Sequence, residues 1–116
     1  MLIVDREIPL LELPNLEEKM FFAEDEMVKA VADIDKGILA LNAALHSDLE
    51  QMLLEHGSDQ KSLYGFNVYY DGEIEYDSMI NPPRNREAGY PRVGRDVADP
   101  IARDKIKELV DKWIKS

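Results

Sequence analysis

The stretch VKAVADIDKGILALNAAL, residues 28–45, decides the fold class of this chain. Its first seven residues alternate, and one face carries only apolar side chains, namely Val28, Ala30, Ala32 and Ile34. An Asp-Lys-Gly turn follows at 35–37, and a second apolar run occupies 38–45. Alternation that is interrupted by a glycine-containing turn predicts a β-hairpin. A helix over 38–45 is the alternative, because alanine and leucine are good helix formers.

A second hairpin is predicted over residues 64–80, around the Asp-Gly dipeptide at 71–72. With those two residues as the turn, Val68 pairs with Glu75 across the two strands. The side chain of Asn67 then points to the other side of the sheet from that of Val68. Neither face of this hairpin is purely apolar. We therefore expect one face to pack on helices, and the other to be half-solvated or to meet a partner.

Three helices are predicted from their terminal signals. The first covers about 16–25 and follows an asparagine N-cap. The second begins with a capping box, in which Ser47 is the N-cap and Glu50 reaches back to it, and ends before Gly57. The third begins at the Asp-Pro pair at 99–100, since aspartate suits an N-cap and proline the first helical position.

These elements predict a single α+β domain over residues 1–116. With a short strand at 1–4, the predicted order is β-α-β-β-α-β-β-α. Two antiparallel hairpins lie in a largely antiparallel sheet, with helices packed on one face. Four apolar side chains are predicted to be nearly fully buried in the core: Leu53, Val68, Ile106 and Leu109.

The composition excludes several classes of function. The chain has no cysteine, which rules out disulfides, thiol catalysis and cysteine-ligated metals. A net charge of −10 argues against binding to nucleic acid. The sequence lacks the roughly 18 apolar residues in a row that a membrane helix needs, and charges near its start do not fit a signal peptide. We predict a cytoplasmic protein with neither nucleic-acid nor membrane partners. No cofactor or metal is predicted, because no phosphate loop, zinc signature or calcium loop is present.

Positive charge is concentrated in residues 81–97, here called the arginine segment. Its four arginines are Arg84, Arg86, Arg92 and Arg95. The segment has a net charge of +2, against −13 for residues 1–80, and its prolines and glycines predict a long loop. Guanidinium groups favour carboxylate and phosphate ligands, so the segment is a candidate anion site. Alternatively, these arginines neutralise the chain's own carboxylates, such as Glu73, Glu75 and Asp77, within the molecule or across a dimer.

Two further groups of polar residues are candidates for a site. His46 and Glu50 lie four apart at a helix start, a spacing at which imidazole and carboxylate share one face and can hold a metal or pass a proton. The alternative is that Glu50 only caps the helix. Asn67 and Asn81, with Ser78 between them in sequence, are candidates to line a pocket. Their alternative role is to satisfy the backbone of the turn and loop.

Several motifs resemble a family of short prokaryotic proteins of unknown function. They are LHSD (45–48), LEHGS (54–58), LYGFNVY (63–69) and IEYDSMIN (74–81). The corresponding family motifs are ELHAD, LLExGS, LWGxNxYP and IEFxSxIN, and the resemblance covers about residues 27–110. The chain differs at Ala44 and Tyr64, where the family has Glu and Trp, and in the loop at 82–96. The resemblance implies a single soluble domain and no particular reaction.

Two hypotheses about function follow. The first is a non-catalytic cytosolic domain that acts through self-association, as a homodimer, or through protein partners. The second is a small enzyme or sensor that binds an anionic metabolite at the arginine segment near His46 and Glu50. A cleft shared by His46, Asn81 and the arginines favours the second hypothesis, whereas arginines paired with carboxylates of the chain favour the first.

Overall fold

The computed structural model of the chain describes residues 1–9, 27–69 and 71–115. Its strands are β1 (Leu2–Val4), β2 (Ile8–Pro9), β3 (Met27–Asp33), β4 (Ile38–Leu41), β5 (Leu63–Tyr69), β6 (Ile74–Glu75) and β7 (Ile114–Lys115). Its α-helices are α1 (His46–Glu55), α2 (Asn81–Glu87) and α3 (Pro100–Trp113), and a 3₁₀ turn over Gln60–Ser62 precedes β5. The α+β class is confirmed. The helix predicted over 16–25 lies outside the described residues.

Strand β3 is the centre of a five-stranded antiparallel sheet with the order β1-β4-β3-β5-β6. The first predicted hairpin is confirmed, since Asp33 pairs with Ile38 across the turn. The buried carboxylate of Asp33 accepts a hydrogen bond from the amide of Asp35 (3.0 Å), which holds the turn in place. Strand β4 ends at Leu41, because Asn42 adopts a left-handed backbone with φ of 71°.

The second hairpin forms in a register one residue away from the predicted one. Val68 pairs with Ile74 rather than with Glu75, and Asn67 pairs with Glu75. The connection is therefore one residue longer than the two-residue turn assumed from the sequence. A shift by one residue exchanges the faces of a strand, so Glu75 lies on the same face as Asn67. The returning strand β6 is only two residues long.

The two faces of the sheet carry separate apolar clusters. One packs against α3 and includes Val28, Ala30, Leu39, Phe66, Ala102 and Ile106. The other packs against α1 and includes Val31, Ala40, Leu49, Leu53, Leu63 and Ile80. Helices therefore cover both faces, which corrects the expectation of one covered face. The reason is that β3 and β4 present apolar side chains in both directions, as strands buried on two sides do.

Three of the four predicted core residues are confirmed. Leu53, Val68 and Ile106 are fully buried. Leu109 is only partly buried: it packs at the margin of the same core cluster, with its side chain next to Gly37 in the β3–β4 turn.

Two predicted helix ends lie where the sequence placed them. Helix α1 ends in a Schellman motif, with Gly57 at φ of 97° and the Ser58 amide bonded to the carbonyl of Leu53 (2.9 Å). Helix α3 begins after Asp99, whose carboxylate accepts a hydrogen bond from the amide of Ile101 (3.0 Å).

Helix α2 was not predicted. It occupies the start of the arginine segment, where Pro82 and Pro83 indicated a loop. Both prolines lie in the first turn, where the missing N–H groups would have no helical partner in any case. The prediction of an uninterrupted loop is therefore wrong for Asn81–Glu87.

Candidate functional site

A cavity of about 310 Å³ opens at the N-terminal end of α1. We call it the α1 cavity. Its lining residues are Lys29, Leu45, His46, Ser47, Met79, Ile80 and Arg95. They come from four elements: strand β3, the start of α1, the residues before α2, and the loop that follows α2. The cavity thus lies where the polar end of one sheet face meets the arginine segment.

His46 forms part of the wall of the α1 cavity and is itself 92% buried. Its Nε2 lies 2.8 Å from the carbonyl oxygen of Phe66 in β5 and donates a hydrogen bond to it. Burial lowers the pKa of His46 most strongly, the hydrogen bond to Phe66 opposes this, and the charge of Lys29 lowers the pKa further. The imidazole is therefore neutral at pH 7, with its proton on Nε2 and an acceptor lone pair on Nδ1.

Two cationic side chains border the same cavity. Lys29 projects from the centre of β3 and forms no ion pair with the residues that the structure describes. The side chain of Arg95 is 56% exposed, and its Nε lies 2.7 Å from Asp77 Oδ1. The backbone carbonyl of Arg95 is fixed by hydrogen bonds from the Ser78 amide (3.0 Å) and the Asn81 side chain (2.9 Å). The main chain therefore places Arg95 at the cavity.

The helix terminus adds a third positive contribution. Helix α1 begins at His46 with Leu45 as its N-cap, and no side chain caps it. The predicted capping box of Ser47 and Glu50 is wrong, because the Glu50 carboxylate instead forms an ion pair with Arg84. The first N–H groups of a helix have no partner within the helix and form the positive end of its dipole. That end lies at the α1 cavity.

Arg84 occupies a different and closed environment. Its side chain is only 5% exposed and pairs with Glu50, which joins α2 to α1. Its Nε donates to the carbonyls of Gln60 (3.0 Å) and Leu63 (3.1 Å), and Nη1 donates to that of Ile80 (3.2 Å). The donors of Arg84 are thus taken up inside the chain, as the charge-neutralising alternative expected for this residue.

The remaining candidates are distributed around these two arginines. Arg86 and Arg92 are exposed and are not among the residues that line the α1 cavity. Glu50 is not available as a partner for His46, because its carboxylate forms an ion pair with Arg84. The four arginines therefore do not converge on one point, and Arg95 is the one that shares a cleft with His46.

Asn81 and Asn85 organise the loop that carries Arg95. The Asn81 amide group bonds both the N–H (2.8 Å) and the carbonyl (2.9 Å) of Gly65, in the manner of a neighbouring strand. Asn85 donates to the carbonyls of Gly94 (2.9 Å) and Asp96 (2.7 Å). Asn81 thus has the backbone role that was the alternative to lining a pocket.

Gly65 is required at this point of β5. A Cβ atom there would overlap the side chain of Ser78, which lies directly over the strand. The close approach of Ser78 keeps the segment before α2 against the sheet, with Asn81 at the edge of β5.

Asn67 lies beside the α1 cavity rather than in its lining. It pairs with Lys29 across the β3–β5 ladder and donates from Nδ2 to Glu75 (2.9 Å). Its Oδ1 is buried and accepts no hydrogen bond of good geometry from the described residues, although the Asn67 side chain lies close enough to the His46 ring to raise the pKa of that imidazole. The polar end of this sheet face therefore contains a spare acceptor next to Lys29.

Sequence reasoning missed Lys29, Leu45 and Met79 as cavity residues. One signal for Lys29 was available, since a lysine amid the apolar residues of a central strand calls for a polar neighbourhood. Leu45 and Met79 gave no signal, because they meet only after α1 and the segment before α2 have packed together.

A second cavity of about 290 Å³ mixes both signs of charge. It is lined in part by Asp35, Lys61, Tyr64, Arg84 and Glu87. Burial is the main cause that raises the pKa of Tyr64, and the nearby charge of Asp99 adds to it. Because Arg84 is already paired and two carboxylates face the space, this cavity is the weaker candidate for an anion.

The family of the chain follows from a comparison of sequences. The family model described as "Protein of unknown function (DUF5674)" matches residues 3–113. The chain belongs to the DUF5674 family. No curated protein and no solved structure matches this DUF5674 chain.

In the described ranges, no group of three or more His, Cys, Asp or Glu side chains is arranged to hold a metal ion. Among the same residues, no helix has the length and apolar character needed to cross a membrane.

Proposed function

We propose that this chain is a non-catalytic binding protein for a small anionic ligand, which it holds in the α1 cavity. One observation carries the proposal: Lys29, Arg95 and the uncapped start of α1 border the same cavity. In a chain with a net charge of −10, such a local concentration of positive charge runs against the composition.

The chemistry of these groups supports an anion. A guanidinium or ammonium group that donates to an anion forms a charge-assisted hydrogen bond, which contributes about 1.5–3 kcal/mol. The helix terminus adds favourable dipole interaction and N–H donors at His46 and Ser47. Partial burial reduces screening by salt, which would otherwise weaken contacts of this kind.

Binding is favoured over catalysis by the position of Glu50. The sequence placed this carboxylate beside His46 as an acid–base partner, but Arg84 occupies it. His46 is also held by the carbonyl of Phe66, which orients the ring as part of the wall. No carboxylate is among the described residues that line the α1 cavity, so the imidazole has no acid–base partner there.

The proposal can be tested by amide NMR titration with acetate, butyrate and inorganic phosphate. We expect saturable shifts at the amides of His46 and Ser47 with at least one of these anions. Lys29→Met and Arg95→Gln should each weaken binding by about tenfold, the equivalent of about 1.4 kcal/mol. Arg92→Gln is the matched control, since Arg92 is exposed outside the cavity, and should change affinity by less than about twofold.

Two results would overturn the proposal. One is the absence of saturable shifts at His46 and Ser47 with all three anions at millimolar concentration. The other is an equal loss of affinity in Arg92→Gln and Arg95→Gln, since that would show a general effect of charge rather than a site.

A second candidate function, self-association as a homodimer, is favoured by a separate observation. Tyr90 is a large aromatic residue that remains 38% exposed, and it lies in the sequence between the exposed Arg86 and Arg92. The acidic surface of a second copy would complement these two arginines, and tyrosine with arginine is typical of interface anchors.

Light scattering tests self-association directly. We expect a dimer that dissociates as salt is raised, and a shift toward monomer in Tyr90→Ala. A monomer at high micromolar concentration and low salt contradicts this candidate and leaves the ligand proposal unaffected.

A further inference from the structure

The α1 cavity has an apolar side as well as a cationic side, and the two lie next to each other. Leu45 and Met79 are 58% and 70% exposed, and the buried Ile80 is a third apolar residue of the lining. Exposed leucine and methionine at the mouth of a charged cavity leave apolar surface in water, which a ligand can cover. A simple inorganic anion would leave that surface wet.

The charge around the cavity favours one negative charge over two. Lys29 and Arg95 contribute two positive charges, but Asp77 lies 2.7 Å from Arg95 and offsets one of them. The terminus of α1 adds roughly half a charge. Glu75, bonded to Asn67, lies on the same sheet face and adds a further negative charge nearby.

The neutral state of His46 points in the same direction. Its ring adds no positive charge to the wall, because burial and Lys29 keep it unprotonated at pH 7. Among these groups the positive charge exceeds the negative by only about half a charge, which suits a carboxylate better than a phosphate dianion.

We infer that the ligand is a small amphipathic monoanion, a carboxylate with a compact apolar group. Its carboxylate lies between Lys29, Arg95 and the start of α1, and its apolar group contacts Leu45, Met79 and Ile80. A cavity of about 310 Å³ is at the small end of ligand pockets, so the apolar group is short. This inference rests on the proposed function, which it extends from charge to ligand class.

The test is a titration of the intact chain with acetate, butyrate, hexanoate, hexanamide and inorganic phosphate. We expect affinity to rise roughly threefold for each added methylene, because each one leaves water. Hexanoate should bind at least tenfold more tightly than phosphate. Hexanamide, which lacks the charge, should bind at least tenfold more weakly than hexanoate.

Two variants separate the apolar contact from the charge. Leu45→Ala and Met79→Gln should flatten the dependence on chain length and leave acetate affinity within about twofold. Ile101→Ser is the matched control, since Ile101 is 66% exposed on α3 and lies outside the cavity lining. It should leave the whole series unchanged.

The outcomes distinguish the two levels of the proposal. If acetate, hexanoate and phosphate bind equally and Arg95→Gln weakens them all, the anion site stands and the ligand class is wrong. If hexanamide binds as tightly as hexanoate, the ligand class is also wrong, because the charge then plays no part. If none of the anions binds, both the site and the ligand class fail.

Discussion

Arg84 and Arg95 come from the same short segment, and the structure uses them in opposite ways. Arg84 is buried against α1, pairs with Glu50 and also donates hydrogen bonds to backbone carbonyls. Arg95 lies at the start of the same helix, half in solvent, with a carboxylate on its Nε. Where α1 packs against the arginine segment, the guanidinium of Arg84 is therefore buried, whereas that of Arg95 is accessible to solvent.

The difference teaches that burial, rather than residue type, separates a structural arginine from a candidate ligand-binding one. A buried guanidinium must have its charge and donors satisfied by the chain, or the fold is destabilised. An exposed guanidinium is solvated and can exchange water for a ligand at little loss of stability. The expected outcomes below test this division.

The largest effect is expected for Arg84→Ala. The change leaves Glu50 as an unpaired, largely buried carboxylate and removes the bonds to Gln60 and Leu63. Removing one partner of a buried ion pair costs about 3–5 kcal/mol, so the free energy of unfolding in urea should fall by that amount. Arg86→Ala, an exposed change on the same helix, should alter it by less than about 0.5 kcal/mol. Equal losses in both variants would contradict the closed role of Arg84.

Asn81→Ala should have the next largest effect. It leaves the N–H and carbonyl of Gly65 without a partner and removes one of the two hydrogen bonds to the carbonyl of Arg95. Each buried group left without a partner costs about 1–3 kcal/mol. Hydrogen exchange at the Gly65 amide should therefore accelerate relative to the unchanged chain.

Asn85→Ala provides the comparison for Asn81. It loosens the same loop through Gly94 and Asp96 but does not touch Gly65. If Gly65 exchange accelerates equally in both variants, Asn81 does not act as a substitute for a neighbouring strand.

A smaller effect is expected from the titration of His46. Burial lowers its pKa in the folded chain, so the unfolded chain takes up a proton at higher pH than the folded chain does. Stability from the neutral ring is therefore fully present above the ordinary histidine value of about 6.5 and is lost as pH falls below it. Urea unfolding between pH 8 and 5 should show this slope in the unchanged chain and less of it in His46→Gln.

His56 is the control for that titration. It is exposed at the other end of α1 and lies outside the α1 cavity, so His56→Gln is the matched variant for the same pH series. A slope that disappears in His56→Gln instead would assign the pH dependence to the wrong end of the helix.

The smallest effect on stability is expected for Arg95→Ala. Its ion pair with Asp77 joins side chains that are 56% and 42% exposed, and exposed pairs contribute about 0–1 kcal/mol. Urea unfolding should therefore change little, while anion binding should weaken by about tenfold, as for Arg95→Gln. A loss of stability comparable with that of Arg84→Ala would remove the distinction between the two arginines.

Local signals in the sequence determined much of the fold. The alternation of β3, the turn at 35–37, the end of α1 at Gly57 and the start of α3 at Asp99 all depend on neighbouring residues, and all are found where predicted. The acidic composition and the cluster of arginines are also properties of the sequence itself. These features needed no knowledge of which elements meet in space.

Only the tertiary structure decided how those elements share their polar groups. Glu50 was predicted to cap its own helix, but a competing partner 34 positions away, Arg84, binds it instead. The second hairpin slipped by one residue, because its return strand is too short and too polar for its own pattern to fix the register. The α1 cavity arises in the same way, since Lys29, His46 and Arg95 become neighbours only when three distant segments pack. Each charged side chain pairs with the partner that the packed fold brings closest to it. The residues next to it in the sequence do not determine which partner that is.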